Sequence, residues 1–375
     1  MDDADLMRRA IKLAMRGRGL VEPNPMVGCV LTRDSRIIAE GYHEYFGGPH
    51  AEPNALAKCA EAKGATAYVT LEPCCHTTKK TPPCTRALIG AKIARVVAAC
   101  EDPNPLVSGK GFQELRNAGI SVSTGILEAE ARQLNAAYFK LLSQRRPYVT
   151  LKWAQTADGK IAGPGGRRLA ISNAASLAAM HGLRSRCDAI LVGIGSVLSD
   201  DPLLTARIER PVREALRIVL DSNLRIGLES QIVKTARRSA VMVCCGERAI
   251  LERSEAVAAL KGRGVEVVPL PADAIGGLSL EHLLDELGAR NMTHLLVEPG
   301  VKLAESFLRE NLADRVWVFR SPMTVNAEDA PAAAHVDYPM SGMIGLSEDD
   351  LTEYLNPASP VFYSLQKSAD LNWSE

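Results

Sequence analysis

Short apolar runs with strand periodicity alternate with amphipathic helical stretches along most of this 375-residue chain, and the alternation is interrupted once, by Ser143-Gln144-Arg145-Arg146-Pro147. Strands with faces to bury, separated by helices, pack as sheets covered by helices. A proline pushes the residue before it out of helical conformation, so a charged segment ending in Pro147 separates two such assemblies. The length also fits two domains of ordinary size better than a single core. The expectation is two α/β domains, residues 1–145 and 146–375.

In the first, the patterns predict a helix over 5–16, strands over 27–32 and 36–43 around Asp34-Ser35, a helix over 50–62 and a strand over 65–73. A helix over 85–91, a strand over 94–100, a helix and strand within 111–124 and one helical segment over 128–142 complete it. In the second, strand-like runs at 148–155, 188–195, 216–222, 239–246, 264–270 and 294–300 are mostly separated by helical stretches, which predicts a mostly parallel sheet. From about 321 onward the chain is rich in Ala and Pro without clear periodicity, and no element is assigned there.

Charge excludes one class of partner. Lys+Arg and Asp+Glu both total 44, and no long basic run supplies the field on which non-specific nucleic-acid binding depends. No stretch approaches 18 consecutive apolar residues, and the N-terminus is acidic where a signal peptide is basic. A cytoplasmic protein with no nucleic-acid or membrane partner is expected. Of the nine cysteines, Cys29, Cys59, Cys100 and Cys187 sit singly among apolar or helix-forming neighbours and read as small buried hydrophobes. Cys74, Cys75 and Cys84 instead cluster with Pro, His and Thr, a pattern that in a cytosolic chain points to metal or catalysis.

His50-Ala51-Glu52 follows a Gly-Gly-Pro turn, and Glu72-Pro73-Cys74-Cys75-His76 leads to Pro82-Pro83-Cys84. One histidine and two thiolates leave a position of a tetrahedral zinc open to water, as catalytic zinc requires. Zinc brings the pKa of that water from about 15.7 to near 7, and a neighbouring carboxylate, Glu52, then moves protons between water and the departing amine. This is the arrangement of zinc deaminases. Residues two apart on an ideal helix point roughly 200° away from each other, so His50 and Glu52 share a site only at an irregular helix start, which Pro49 at the first helical position would supply. Cys84, after two prolines, is expected to begin a helix, where a thiolate is favoured. The competing reading is a closed structural site with His76 as fourth ligand.

Beyond the metal residues, the first half carries Pro23-Asn24-Pro25-Met26-Val27-Gly28, Gly41-Tyr42-His43, Thr70-Leu71-Glu72-Pro73-Cys74, Thr81-Pro82-Pro83-Cys84 and Glu101-Asp102-Pro103-Asn104-Pro105. With these motifs the chain resembles the bifunctional riboflavin biosynthesis deaminase/reductase family. The resemblance implies a cytidine-deaminase-like three-layer α/β domain that removes the 2-amino group of 2,5-diamino-6-ribosylamino-4(3H)-pyrimidinone 5′-phosphate, with Asn24 near that substrate. The family usually has eight residues between its zinc cysteines, whereas Cys74 and Cys84 enclose nine and Cys75 and Cys84 enclose eight. Either of Cys74 and Cys75 fits as ligand; Cys74 is preferred because it keeps the Glu-Pro-Cys register and leaves the extra residue to the loop 77–80.

The second half resembles the family's reductase, which is similar to dihydrofolate reductase in fold and uses NADPH. The matching segments include Leu151-Lys152, Ala157-Asp158-Gly159-Lys160, Leu183-Arg184, the run 189–207, Arg217-Ile218-Val219-Leu220-Asp221-Ser222 and Val297-Glu298-Pro299-Gly300. By resemblance Lys152, Arg184, Leu204, Arg207 and Glu298 border the substrate, whose phosphate suits an arginine pair, and Ala154, Ser196, Asp200, Ser222 and the stretch from Gly300 border the cofactor. Three departures stand out. Arg167-Arg168-Leu169-Ala170-Ile171-Ser172 replaces a small hydroxyl residue and a tryptophan. Gly300-Val301-Lys302 replaces Gly-Pro-Thr, its lysine suiting the NADPH 2′-phosphate, and the chain after Leu312-Ala313-Asp314-Arg315 lacks the usual Ala-Pro-Lys. Two outcomes follow from these: an enzyme with both activities, bound to Zn2+ and NADPH and assembled as a homo-oligomer, or a deaminase with a degenerate, non-catalytic reductase-like domain.

Overall fold

The computed structural model describes residues 1–77 and 81–363, and these divide into two compact units, Met1–Gln144 with Tyr363, and Arg145–Phe362. In the first, β1 (Gly28–Arg33), β2 (Arg36–Tyr42), β3 (Thr66–Val69), β4 (Arg95–Ala98) and β5 (Ser121–Thr124) form a sheet in the order β2-β1-β3-β4-β5. β1 runs antiparallel to β2 and β3, and β3, β4 and β5 run parallel. The helices are α1 (Asp3–Ala14), α2 (Ala51–Ala57), α3 (Cys84–Gly90), α4 (Lys110–Asn117), α5 (Glu128–Leu134) and α6 (Ala136–Gln144).

Two glycines show why the unit has three layers. A Cβ on Gly28 would lie 2.0 Å from the Ala10 carbonyl oxygen of α1, and one on Gly41 would lie 2.5 Å from the Ala51 carbonyl oxygen of α2. Gly41 pairs with Cys29, so it shares the sheet face opposite to Gly28. Helices therefore press on both faces at positions where no side chain fits. On the α2 face, Cys29 and Leu31 pack with Ala51, Ala55 and Leu88.

Several predicted elements are shorter than their patterns. The 50–62 helix stops at Ala57 and the 65–73 strand leaves the sheet after Val69, while the first helix keeps its length but starts two residues earlier, over 3–14. The single helical segment over 128–142 is two helices. Asn135 breaks it because its Oδ1 accepts the Met26 N–H at 2.8 Å and its Nδ2 donates to the Met26 carbonyl at 2.9 Å.

In the second unit the strands are β6 (Tyr148–Gln155), β7 (Ala189–Gly193), β8 (Leu216–Leu220), β9 (Val241–Gly246), β10 (Val265–Leu270), β11 (His294–Val297), β12 (Arg315–Arg320), β13 (Met340–Leu346) and β14 (Asp349–Leu355). They form one sheet, β10-β9-β8-β7-β11-β6-β12-β14-β13, parallel from β10 through β12 and antiparallel thereafter. Helices cover both faces of the parallel part, so its strands bury alternate residues in two cores: Ala189 and Leu191 of β7 in one, Ile190 and Val192 in the other. The hairpin β13–β14 lies in the stretch to which the sequence assigned no element. Among the described residues no helix is long and apolar enough to cross a membrane.

Candidate active sites

The metal-type cluster is assembled from the starts of two helices and the segment that follows a strand. His50 caps α2 in extended conformation (φ −74°, ψ 172°), and Glu52 follows in the first helical turn, so a direction change at His50 lets both face one site. Pro49 therefore precedes the cap and is not the first helical residue, as the sequence had suggested. Cys74 ends the segment leaving β3, and Cys84 is the first residue of α3. His50 Nδ1 lies 3.6 Å from Cys74 Sγ and 3.4 Å from Cys84 Sγ. One donor atom of each lies within 4.8 Å of the others, and His76 is not part of the cluster. Cys75 Sγ is turned toward the Leu106 carbonyl at 3.7 Å. The loop meant to absorb the extra residue falls, at 78–80, outside the described residues.

Glu52 is 3% exposed, and its Oε2 is buried with no hydrogen-bond partner among the described residues. Burial, then the negative charge of Cys74, raise its pKa. An imidazole nitrogen and two sulfurs converging beside an orphaned buried carboxylate oxygen fit a tetrahedral zinc with one position left for water. The other ring nitrogen of His50, Nε2, lies 3.4 Å from the Thr81 hydroxyl.

Other polar residues shape the surroundings. His43 Nδ1 is 2.9 Å from the Pro49 carbonyl, which can only accept, so in the neutral ring Nδ1 carries the proton. Nε2 then accepts from Asn24 Nδ2 at 3.2 Å, placing Asn24 beside the His43–His50 pair, whose rings are 5.2 Å apart. Glu72 anchors the loop into α4: its carboxylate accepts the N–H groups of Asp102 (3.3 Å), Gly109 (3.0 Å) and Phe112 (3.1 Å). Burial pushes Asp102 up to about 6, while the Asn104 N–H and the Tyr138 hydroxyl donate to it. Glu72, His43 and Asp102 all lie in motifs that carry the family resemblance, but no chemical rule singled them out.

In the second unit a cleft of about 1300 Å³ is lined by every residue the resemblance placed there: Lys152, Arg184, Leu204, Arg207 and Glu298, with Ala154, Ser196, Asp200, Ser222 and Gly300. Arg184 is committed within it. Its guanidinium makes a two-pronged pair with Glu298 at 2.6 and 2.7 Å and also holds the Thr205 carbonyl at 3.1 Å. Of the expected arginine pair, Arg207 is thus the more available to a phosphate; it is exposed, with Nε 3.3 Å from His181 Nε2. Burial works to raise the Glu298 carboxyl, but Arg184 and Lys152 outweigh it and hold its pKa low. Burial lowers the Lys152 pKa, Glu298 opposing and Arg184 reinforcing the shift. Leu204 is buried in the left-handed region (φ 54°), with Thr205 held by Arg184 and Leu203 by the buried Arg217 at 3.0 Å. The departures at Arg168 to Ser172 and at Lys302 face this same cleft. Gly300 caps the helix Val301–Arg309 with no side-chain partner for its first N–H groups.

Residues 147–334 match the RibD C-terminal domain, and residues 1–100 match the cytidine and deoxycytidylate deaminase zinc-binding region. The riboflavin biosynthesis protein RibD of Aquifex aeolicus is 43% identical over 321 residues, 85% of this chain and 87% of its own. That of Escherichia coli is 38% identical over 341 residues, 88% of this chain and 90% of its own. The solved structure of Acinetobacter baumannii RibD aligns with a TM-score of 0.81 at 36% identity, covering 94% of this chain and 98% of that one. The Thermotoga maritima diaminohydroxyphosphoribosylaminopyrimidine deaminase/5-amino-6-(5-phosphoribosylamino)uracil reductase aligns with a TM-score of 0.80 at 35% identity and the same coverage.

Proposed function

Since this chain belongs to the RibD family of riboflavin biosynthesis proteins, we propose that it performs two successive reactions: hydrolytic removal of the 2-amino group of 2,5-diamino-6-ribosylamino-4(3H)-pyrimidinone 5′-phosphate, then reduction of the ribosyl group of the product to ribityl. The observation that carries the first step is the His50–Cys74–Cys84 cluster beside the orphaned oxygen of Glu52. His50 Nδ1 and the two sulfurs are the zinc ligands. Zinc, when bound, supplies the Lewis acidity that makes water a nucleophile at neutral pH. Glu52 takes a proton from the attacking water and passes it to the ring nitrogen, then carries the remaining hydroxyl proton to the amine, which leaves as ammonia as the C–N bond breaks, a role that its raised pKa suits. Asn24, steadied by His43, offers its amide to the pyrimidine.

For the second step, NADPH supplies the hydride. Lys152 lies on β6 with its ammonium disfavoured by burial, which makes it the better proton donor to the ribose ring oxygen as that oxygen leaves C1′. The Arg184–Glu298 pair fixes the wall beside it, and Arg207 meets the substrate phosphate. The test is a coupled assay of full-length protein with the diaminopyrimidine, with and without NADPH. Ammonia release in both and NADPH oxidation in the second are expected. Ammonia release with neither NADPH oxidation nor NADPH binding would leave a deaminase with a degenerate partner domain.

A further inference from the structure

Four neighbouring strands of the second sheet meet the cleft, and the residues they bring follow sheet order. Lys152 and Ala154 come from β6, Glu298 and Gly300 from the end of β11, Ser196 from the helix Ile194–Asp200 that follows β7, and Ser222 and Arg225 from the segment after β8. Beyond β8 a second cavity of about 610 Å³ opens at the ends of β9 and β10, bordered by Gly246 and Leu270. It shares Ser222, Arg225, Gly277 and Leu278 with the cleft, so the two form one continuous trough. Three strand steps from β6 to β8 amount to roughly 14 Å at about 4.8 Å each. An extended dinucleotide lies along such a trough with its reacting ring at one end and its adenosine at the other.

The reacting end is fixed by Lys152 and Glu298. The uncapped start of the helix Val301–Arg309, with Lys302 in its first turn, lies one strand further and suits the bridging diphosphate. We propose that the adenosine half of NADPH occupies the β8–β9 end, with its base in the second cavity and its 2′-phosphate on the guanidinium of Arg225, making Arg225 the residue that selects NADPH over NADH. This rests on the reductase reading above and moves the 2′-phosphate away from Lys302.

The acid at this strand end argues the same way. A carboxylate that closes a strand in dinucleotide folds accepts from the ribose hydroxyls and so favours NADH. Here that acid, Asp221, is 0% exposed and turned inward, its Oδ2 accepting the Ile226 N–H at 2.8 Å. It anchors the turn and stands 3.9 Å from Arg225 Nε, too far for a hydrogen bond, so the fork of donors stays available to a phosphate. Of the two other arginines bordering the cavity, Arg248 is bonded to Glu252 at 2.6 Å and Arg253 donates to the Leu224 carbonyl at 3.3 Å.

Adenosine 2′,5′-bisphosphate and 5′-AMP differ only in the 2′-phosphate, so calorimetric titration of full-length protein with each isolates that contact. Wild type is expected to bind the bisphosphate at least tenfold more tightly. Arg225→Gln should cut that ratio at least tenfold and lower the NADPH:NADH ratio of kcat/KM in parallel, while Arg225→Lys keeps most of both. Lys302→Gln should weaken NADPH without changing the bisphosphate:AMP ratio. A ratio unchanged in Arg225→Gln, or lost in Lys302→Gln instead, overturns this assignment while leaving reduction itself standing. Wild-type protein that binds no NADPH overturns the reductase reading and this inference with it.

Discussion

Glu52 holds a buried carboxylate oxygen with no hydrogen-bond partner among the described residues, next to donors that are all sulfur or imidazole nitrogen. On the proposed role in proton movement, Glu52→Gln should lower deamination by at least about a hundredfold and leave about one zinc per chain by metal analysis. Metal loss in that variant would make Glu52 a ligand. Thr81 tests how His50 is held. Ligating histidines are oriented by a partner on the other ring nitrogen, and losing that partner typically costs about 10–100-fold in metal affinity. Thr81→Val should weaken zinc by that order in a chelator competition, with Thr81→Ser restoring it. The types of these residues were legible in the sequence, because one histidine, two cysteines and a neighbouring carboxylate are the donor set of a catalytic zinc; what the sequence could not exclude was His76 as a fourth ligand, which the structure leaves outside the cluster. The choice between Cys74 and Cys75 was not, since it depends on which sulfur the segment leaving β3 turns toward His50. Cys75→Ser is accordingly expected to keep its zinc and Cys74→Ser to lose it.

Elements reach the sites because packing overrides local pattern at a few points. Asn135 sits in a strongly helical sequence, yet two hydrogen bonds to Met26, 109 residues away, break the helix and fix the loop that carries Asn24. No local rule reads such a contact. The hairpin β13–β14 was hidden for a different reason: β13 is largely exposed, so its sequence shows no apolar alternation, and Asp349 of β14 is buried where a strand pattern expects an apolar residue. That aspartate accepts the Asn173 N–H at 2.8 Å and the Ser176 hydroxyl at 2.7 Å, an interaction spanning more than 170 residues. The glycines give the element-scale prediction. Gly111 lets the start of α4 pass the Pro73 carbonyl, which a Cβ would approach to 2.2 Å, immediately beside Glu72 and Cys74. Gly111→Ala should therefore destabilise the first unit by about 1–3 kcal/mol, as overpacking does, and weaken zinc binding. Gly90→Ala, where a Cβ meets nothing, serves as the control in thermal melts.

At the scale of the whole molecule, the chain divides into two compact units after Gln144, within the charged, proline-ended segment Ser143-Gln144-Arg145-Arg146-Pro147 where the sequence pattern is interrupted. What each unit does was less evenly legible. The metal cluster rests on a few side chains with one plausible chemistry, whereas the reductase cleft is built from an ammonium, a salt bridge and backbone turns that look, one at a time, like ordinary surface features. Their meaning appears only when the parallel pairing of β6 and β11 brings Lys152 and Glu298 together from positions more than 140 residues apart, with Arg184, the last residue of the helix Ala174–Arg184, paired to Glu298. The residues of each site lie wholly within one unit: His50, Glu52, Cys74 and Cys84 in the first, the cleft residues in the second. The two reactions should therefore fail independently. Removing zinc with a chelator should abolish ammonia release while NADPH oxidation continues with 5-amino-6-(5-phosphoribosylamino)uracil, a substrate that no longer needs deamination. Lys152→Ala should do the converse, lowering NADPH oxidation by about a hundredfold or more, the scale of a lost general acid, with ammonia release unchanged. The substitution also removes a charge that helps hold the Glu298 carboxyl ionised, yet Arg184 still pairs with Glu298 through two hydrogen bonds, so the cleft wall should survive and the loss should fall mainly on kcat. If Lys152→Ala raises KM for the phosphorylated substrate and leaves kcat intact, the lysine binds the substrate and does not donate the proton.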